Sequence, residues 1–229
     1  MTTRHRPGYS GTGPGTFTPD GCAVDLYSRI PPGREPEIIA AAVPPPATLL
    51  ELGCGAGRVT RPLSFLGYAV TAVDESPAML DRLGAAATPV CSPIEDLDLP
   101  TRFDVVLLSS FLVHAPDPAV RRALLATCRR HVAPSGVVLI QREGTDWHTR
   151  VPRSSPLGDG TARVLHSTPD DEGIHTVHVE YTFPDATWTQ QFRSRPLSTP
   201  AFEEVLNTAG LSQPRYLTAD HTWAAAKPL

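Results

Sequence analysis

The stretch TLLELGCGAGRVT, Thr48 to Thr60, constrains this chain more than any other part of it. An apolar run ends at an acid, Glu51, glycines follow at every second position (Gly53, Gly55, Gly57), and the next residues read as a helix. Lacking a Cβ, such glycines let the backbone turn sharply and bring a small ligand almost against the main chain. Strand, glycine loop and helix in that order make a nucleotide-binding device. A dinucleotide fingerprint asks for a third glycine three residues after the second, where pyrophosphate rests on the helix N-terminus. Arg58 stands there instead. Glu51 is poor company for a phosphate but suits an ammonium group, so the expected ligand is cationic at one end.

The second half of the pattern follows at the right distance. Gly67 to Val73, GYAVTAV, reads as another buried strand, and it ends at Asp74. That is about 20 residues beyond the first glycine, where an acid commonly takes ribose hydroxyls. Ser76 as N-cap and Pro77 at the first helical position then open a helix.

The run LELGCGAGRVTRPLSFLGYAVTAVDESPAMLDRL resembles the core of class I S-adenosylmethionine-dependent methyltransferases. The likeness continues through FDVVLLSSFLVH and RHVAPSGVVLI, from about residue 35 to residue 142. It implies S-adenosylmethionine as cofactor and S-adenosylhomocysteine as product. Glu51, Gly53 and Gly55 would face the methionine moiety, Asp74 would hold the ribose, and Glu75 and Met79 would flank the adenosine, with Gly57 and Ser109 completing the cofactor set. Many relatives carry an acid after the third strand for the adenine amino group, and here Pro93 holds that place. Ile94 is left to offer a backbone amide and an apolar wall, or Ser92, Glu95 or Asp96 to take the amino group.

At 229 residues the chain suffices for one sizeable α/β core. It has no apolar run long enough to cross a bilayer and no apolar signal-peptide core in MTTRHRPGYSGTG, so a soluble cytoplasmic protein is expected. The four cysteines, Cys22, Cys54, Cys91 and Cys128, are scattered without metal-ligand or disulfide spacing, and no metal is expected. Cys54, although in the glycine loop, is assigned no chemistry. A formal net charge of −4 with scattered arginines disfavours nucleic acid as a partner, and no membrane partner is expected. Arg121–Arg122 and Arg129–Arg130–His131 read as helix charges favoured by the macrodipole.

Strands are expected near 47–52, 69–74, 88–92, 103–110 and 136–142, alternating with helices near 57–66, 77–84 and 117–132. That makes a doubly wound, seven-stranded, mostly parallel sheet, a Rossmann-like methyltransferase core. Residues 1–46 are read as an N-terminal arm, mobile over residues 1–20, followed by cap helices at Ala23–Arg29 and Glu35–Ala42. The core is assigned to 47–145 and 198–229. Between them, 146–197 reads as an inserted antiparallel β flap covering the acceptor side, with IHTVHVEYTF and TWTQQFRSR as its strands. After it, the runs LSQPRYLTA and HTWAAAKP are expected as the sixth and seventh strands, the seventh antiparallel. Alternation puts His178 on the face opposite His175 and Tyr181.

Methyl transfer from a sulfonium needs alignment more than a base. If a base acts, His114 is the first candidate and His148 the second, and His114 can equally well orient its loop or pack on the helix that follows. Trp147, and behind it Tyr9 and Tyr27, are further base candidates; Tyr27, Trp147, His178 and Tyr181 are the candidate substrate contacts. The expected function is methyl transfer to an N, O or C atom of a small-molecule acceptor, in keeping with natural-product tailoring. A homodimer is left open. The competing readings are a macromolecular methyltransferase, a non-catalytic S-adenosylmethionine-binding regulatory or partner subunit, and a nicotinamide-dependent oxidoreductase.

Overall fold

The computed structural model describes residues 6–229. In chain order they form β1 (Ser10–Thr12), α1 (Val24–Arg29), α2 (Glu35–Ala42), β2 (Thr48–Leu52), α3 (Thr60–Phe65), β3 (Ala69–Asp74), α4 (Pro77–Leu80), β4 (Thr88–Cys91) and β5 (Phe103–Leu108). Then come α5 (Pro118–His131), β6 (Val132–Gln141), β7 (Arg153–Leu157), β8 (Gly160–Pro169), β9 (His175–Phe183), β10 (Ala186–Ser194), α6 (Thr199–Thr208), β11 (Arg215–Tyr216) and β12 (Trp223–Ala226). The chain divides into two compact units: residues up to Pro31 with Thr145–Pro196, and Pro32–Gly144 with Leu197–Leu229.

The second unit holds a seven-stranded sheet in the order β11-β12-β6-β5-β2-β3-β4. Neighbours from β6 to β4 are parallel, while β12 runs antiparallel to β6 and to β11. Near-continuous apolar runs build it because both faces are covered. Leu50, Leu52, Val106, Leu108, Val138 and Ile140 pack on one side with Leu124, Leu125 and Cys128 of α5 and Phe202 and Leu206 of α6. Their neighbours in sequence, Leu49, Val105, Leu107 and Leu139, pack on the other with Ile39 of α2 and Leu63 of α3. Burying Ile39 attaches α2 to this core, which is why the boundary between units falls at Pro31 and not after the prolines at 44–46. α3 and α4 are shorter than expected, and a 3-10 turn at Gly84–Ala86 follows α4.

The first unit holds an antiparallel sheet in the order β1-β10-β9-β8-β7. The expected free arm is corrected here for the described residues. Ser10–Thr12 pairs with Thr189–Gln191, Tyr9 Oη donates to the Arg193 carbonyl at 3.1 Å, and Trp188 Nε1 donates to the Pro14 carbonyl at 2.8 Å. Gly, Pro and Thr carry no period over so short a segment, and an edge strand of three residues takes its order from its partner. Residues 1–5 of the arm lie outside the described residues. β7, RSSPL, is a further strand that shows no alternation in the sequence. Among the described residues no helix is long and apolar enough to cross a membrane.

Candidate active site

Ligands in open α/β sheets bind beyond the carboxyl ends of the strands, where the winding reverses. In this sheet that point lies at β2, which has β3 on one side and β5 on the other. The glycine loop leaves β2 there. Gly53 and Cys54 both donate their backbone N–H to the Val73 carbonyl at 2.9 Å, tying the loop to the end of β3. Gly53 lies at φ +72° and Gly55 at φ +54°, backbone that L side chains rarely adopt. A Cβ at Gly53 would stand 2.9 Å from Leu112 Cδ1 and 3.6 Å from Ile94 Cδ1. The loop, the turn after β4 and the turn after β5 therefore meet over one glycine.

Asp74 is the organiser of this corner. Its Oδ2 accepts from Gly55 N and its Oδ1 from Ser76 N, both at 2.9 Å. Ser76 caps α4, its Oγ accepting from Met79 N at 3.4 Å, and Met79 is buried. Glu75 is half-buried beside it. Ile94 is buried and its carbonyl accepts from Thr127 Oγ1 at 2.9 Å, while Ser92 turns its hydroxyl onto the Pro93 carbonyl at 2.8 Å. Glu95 is half-buried and Asp96 exposed.

Glu51 sits on the strand row of Leu49, in an otherwise apolar layer, and is 1 % exposed. Thr60 Oγ1 donates to its Oε2 at 2.6 Å. Burial pushes its carboxyl up to about 7; Asp74 adds to the rise, while the Thr60 hydrogen bond and the Arg58 charge hold it down. Cys54 is buried, and burial also pushes its thiol up, consistent with a packing role. Two neighbours escaped the sequence reading. Arg58 Nη1 meets Glu35 Oε1 at 2.5 Å, with side-chain exposures of 21 % and 10 %. The two are 23 residues apart, and no local spacing rule pairs them.

Past β5 the backbone is strained. Ser110 and Phe111 are consecutive non-glycine residues in the left-handed region, at φ +54° and +61°. Ser109 is buried, its carbonyl accepts from Leu112 N at 3.2 Å, and Ser110 N donates to Gln141 Oε1 at 2.9 Å. His114 closes the turn. Its Nε2 accepts from the Glu143 backbone N–H at 2.9 Å, and its Nδ1 lies 3.4 Å from Glu143 Oε2, both side chains being 2 % exposed. The neutral ring with hydrogen on Nδ1 satisfies both contacts. A protonated Nε2 would oppose an N–H with an N–H. Both ring nitrogens of His114 therefore face Glu143, and its acceptor nitrogen is engaged. Replacing His114 by Ala leaves the buried Glu143 short of two contacts, so chemical denaturation should show a loss of about 3 kcal/mol. Unchanged stability would refute this placement.

The other expected site residues belong to the first unit. Tyr27 and Tyr181 converge there: both hydroxyls reach Gln190 Oε1, at 3.1 and 3.4 Å, and burial pushes both phenols up. Trp147 packs edge-on against His148 at 4.8 Å and carries the Arg153 guanidinium over its ring at 4.4 Å. His148 Nδ1 and His175 Nδ1 both lie 2.8 Å from Ser167 Oγ. His178 pairs across the strands with His166, ring centroids 4.3 Å apart, and burial followed by the His166 charge pushes its imidazole down. The register places His178 opposite Gln191 and Tyr181 opposite Trp188, so His178 and Tyr181 do face opposite sides.

Residues 50–140 match the family described as a methyltransferase domain. Over 106 residues the chain is 31 % identical to the ubiquinone biosynthesis O-methyltransferase of Bradyrhizobium diazoefficiens, covering 43 % of this chain and 41 % of that protein. Over 130 residues it is 30 % identical to the enzyme of the same name from Xanthomonas campestris pv. campestris, covering 53 % of each. The chain thus spans about half the length of the curated relatives it matches. Among solved structures, the CcbJ methyltransferase from Streptomyces caelestis superposes with a TM-score of 0.67 at 21 % identity, over 86 % of this chain and 94 % of that one. S-adenosylmethionine-bound CalS10, an amino pentose methyltransferase from Micromonospora echinaspora, superposes with a TM-score of 0.66 at 18 % identity, over 91 % and 93 %. At these identities the likeness is one of fold.

Proposed function

We propose that this chain, whose residues 50–140 match a methyltransferase domain, transfers a methyl group from S-adenosylmethionine to a small-molecule acceptor. The observation that carries the reading is the corner at the ends of β2 and β3. There a buried Glu51, an Asp74 holding the Gly55 amide and a half-buried Arg58 surround a glycine-rich loop. These residues fit the donor: acids for an ammonium and a ribose, a guanidinium for a carboxylate, and glycines for close approach. The donor, when bound, supplies an activated methyl group and a neutral thioether leaving group. The chain's own task is to hold it, align the acceptor and keep water out.

Glu51 and the glycine loop hold the amino-acid tail, Asp74 the ribose, and Glu75, Met79 and Ile94 the adenosine. Ser109 and the strained turn to His114 shape the floor beside the methyl group, with His114 as a positioning residue. Tyr27, Trp147, His148, His178 and Tyr181 remain candidates for acceptor contact. The small acidic net charge supports a small acceptor in place of nucleic acid or a membrane surface. The relatives' names, a ubiquinone biosynthesis O-methyltransferase and an amino pentose methyltransferase, support a small biosynthetic intermediate as acceptor.

Titration calorimetry with S-adenosylhomocysteine should give one binding event with a Kd of order 10 μM or tighter, about −7 kcal/mol. Failure to bind either S-adenosylmethionine or its demethylated product would sink the proposal. A donor-binding protein without chemistry is the second reading, favoured by the engaged acceptor nitrogen of His114. Formation of S-adenosylhomocysteine with any member of a metabolite panel excludes it.

A further inference from the structure

The Glu35–Arg58 pair is more than a structural ion pair. Glu35 is the first residue of α2, and Arg58 follows the glycine loop directly. Glu35 is 8 % exposed; its Oε1 takes the guanidinium, and its Oε2 is buried with no hydrogen-bond partner. A buried carboxylate oxygen without a donor is costly, and native proteins tolerate it where a ligand completes the set. Room for a donor is kept beside it: a Cβ on Gly33 would stand 2.7 Å from Oε2, and Gly33 has no side chain.

Charge leads to the same place. The Arg58 guanidinium acts on Glu51 as well as on Glu35, so one fixed cation serves two buried acids. The three groups sum to one uncompensated negative charge when both acids are ionised, and a cationic ligand group balances it. The guanidinium presents a planar fork of five N–H donors, of which Nη1 goes to Glu35. Such a set, two acids around one fork, is complementary to a zwitterionic α-amino acid.

Resting on the function proposed above, we infer that Glu35 is a second anchor for the donor's α-ammonium group, acting with Glu51, while Arg58 holds the neighbouring carboxylate. The chain would then read the amino-acid tail of the donor from α2 as well as from the glycine loop. Its selectivity for donors carrying that tail depends on Glu35.

The test compares S-adenosylhomocysteine with 5′-methylthioadenosine, which shares the nucleoside and lacks the amino acid, by calorimetry on the full chain. Glu35→Gln keeps an acceptor for Arg58 and removes the charge. It should weaken S-adenosylhomocysteine about tenfold, one decade per 1.4 kcal/mol, and leave methylthioadenosine within about twofold. Gly33→Ala, which pushes a methyl group against Oε2 without touching any charge, should show the same pattern and keeps the test alive if the first variant folds poorly. Equal weakening of both ligands, or no change for S-adenosylhomocysteine, overturns the inference while leaving the proposed function standing. A wild-type chain that binds neither ligand overturns both.

Discussion

Replacing Asp74 by Ala should lower the affinity for S-adenosylhomocysteine at least about a hundredfold, an expectation that follows from how many donors one carboxylate serves. Each of its oxygens takes a backbone N–H, one from Gly55 in the loop and one from Ser76 at the head of α4. Hydrogen bonds to an ionised acceptor contribute about 1.5–3 kcal/mol each, and together these two tie the glycine loop to the head of α4. Gly55 in particular adopts a left-handed conformation that glycine populates freely in an unanchored loop. The variant loses the loop geometry together with the carboxylate proposed to hold the ribose. Asp74→Asn should do little better, because an amide offers one acceptor oxygen where two N–H groups converge and turns its own NH₂ toward the second. Calorimetry checks both variants. An affinity within about threefold of wild type would show that the carboxylate has no part in donor binding.

Glu51→Gln should separate stability from function, with pH deciding which is seen. Burial raises the folded-state pKa of Glu51 from 4.5 to about 7, so the folded chain holds that proton more tightly than the unfolded chain does. The stabilisation from this proton is complete below about pH 4.5 and is lost as the pH rises through about 7. Above that, the apo protein carries an ionised carboxylate in an apolar layer. The neutral glutamine can still accept from Thr60 and avoids that cost. Thermal unfolding of the apo protein at pH 8.5 should therefore show Glu51→Gln more stable by about 2 kcal/mol, roughly 5 °C. At pH 5 the two should melt together. Donor binding should move the opposite way. Wild-type affinity for S-adenosylhomocysteine should fall toward acid pH, by up to about tenfold per unit below pH 7, because the ammonium requires the ionised acid. The variant should bind weakly at every pH. A flat wild-type profile, or a variant destabilised at pH 8.5, would remove Glu51 from this role. A residue that costs stability in the apo state is expected where binding supplies the missing charge.

The corner at the ends of β2 and β3 was legible in the primary structure because its signals are local. Glu51, three glycines and a helix follow one another in thirteen residues, and Asp74 closes the next strand at a known interval. Apolar runs with no polar alternation announced a sheet covered on both faces, and Leu49 and Leu50 do pack on opposite sides of it. The faces of β9 were legible for the same reason, since period two needs no tertiary information. Other features left no such mark. β1 is too short to show a period and exists because β10 offers it hydrogen bonds. His114 and Glu143 are 29 residues apart, and only the parallel pairing of β5 with β6 brings their segments to the same edge. Glu35 and Arg58 meet because α2 lies on the face that carries α3.

What the chain determined unaided is everything governed by backbone stereochemistry and short-range period: where it turns without side chains, which residues share a strand face, and which acids end which strands. What only the tertiary structure decided is the state of the charged groups. It buried Glu51 far enough to raise its pKa, engaged both nitrogens of His114, and gave Arg58 two acids to serve. Ionisation depends on solvent exclusion and on neighbours brought in from distant parts of the sequence, and neither quantity exists until the sheet has assembled and its helices have closed over it.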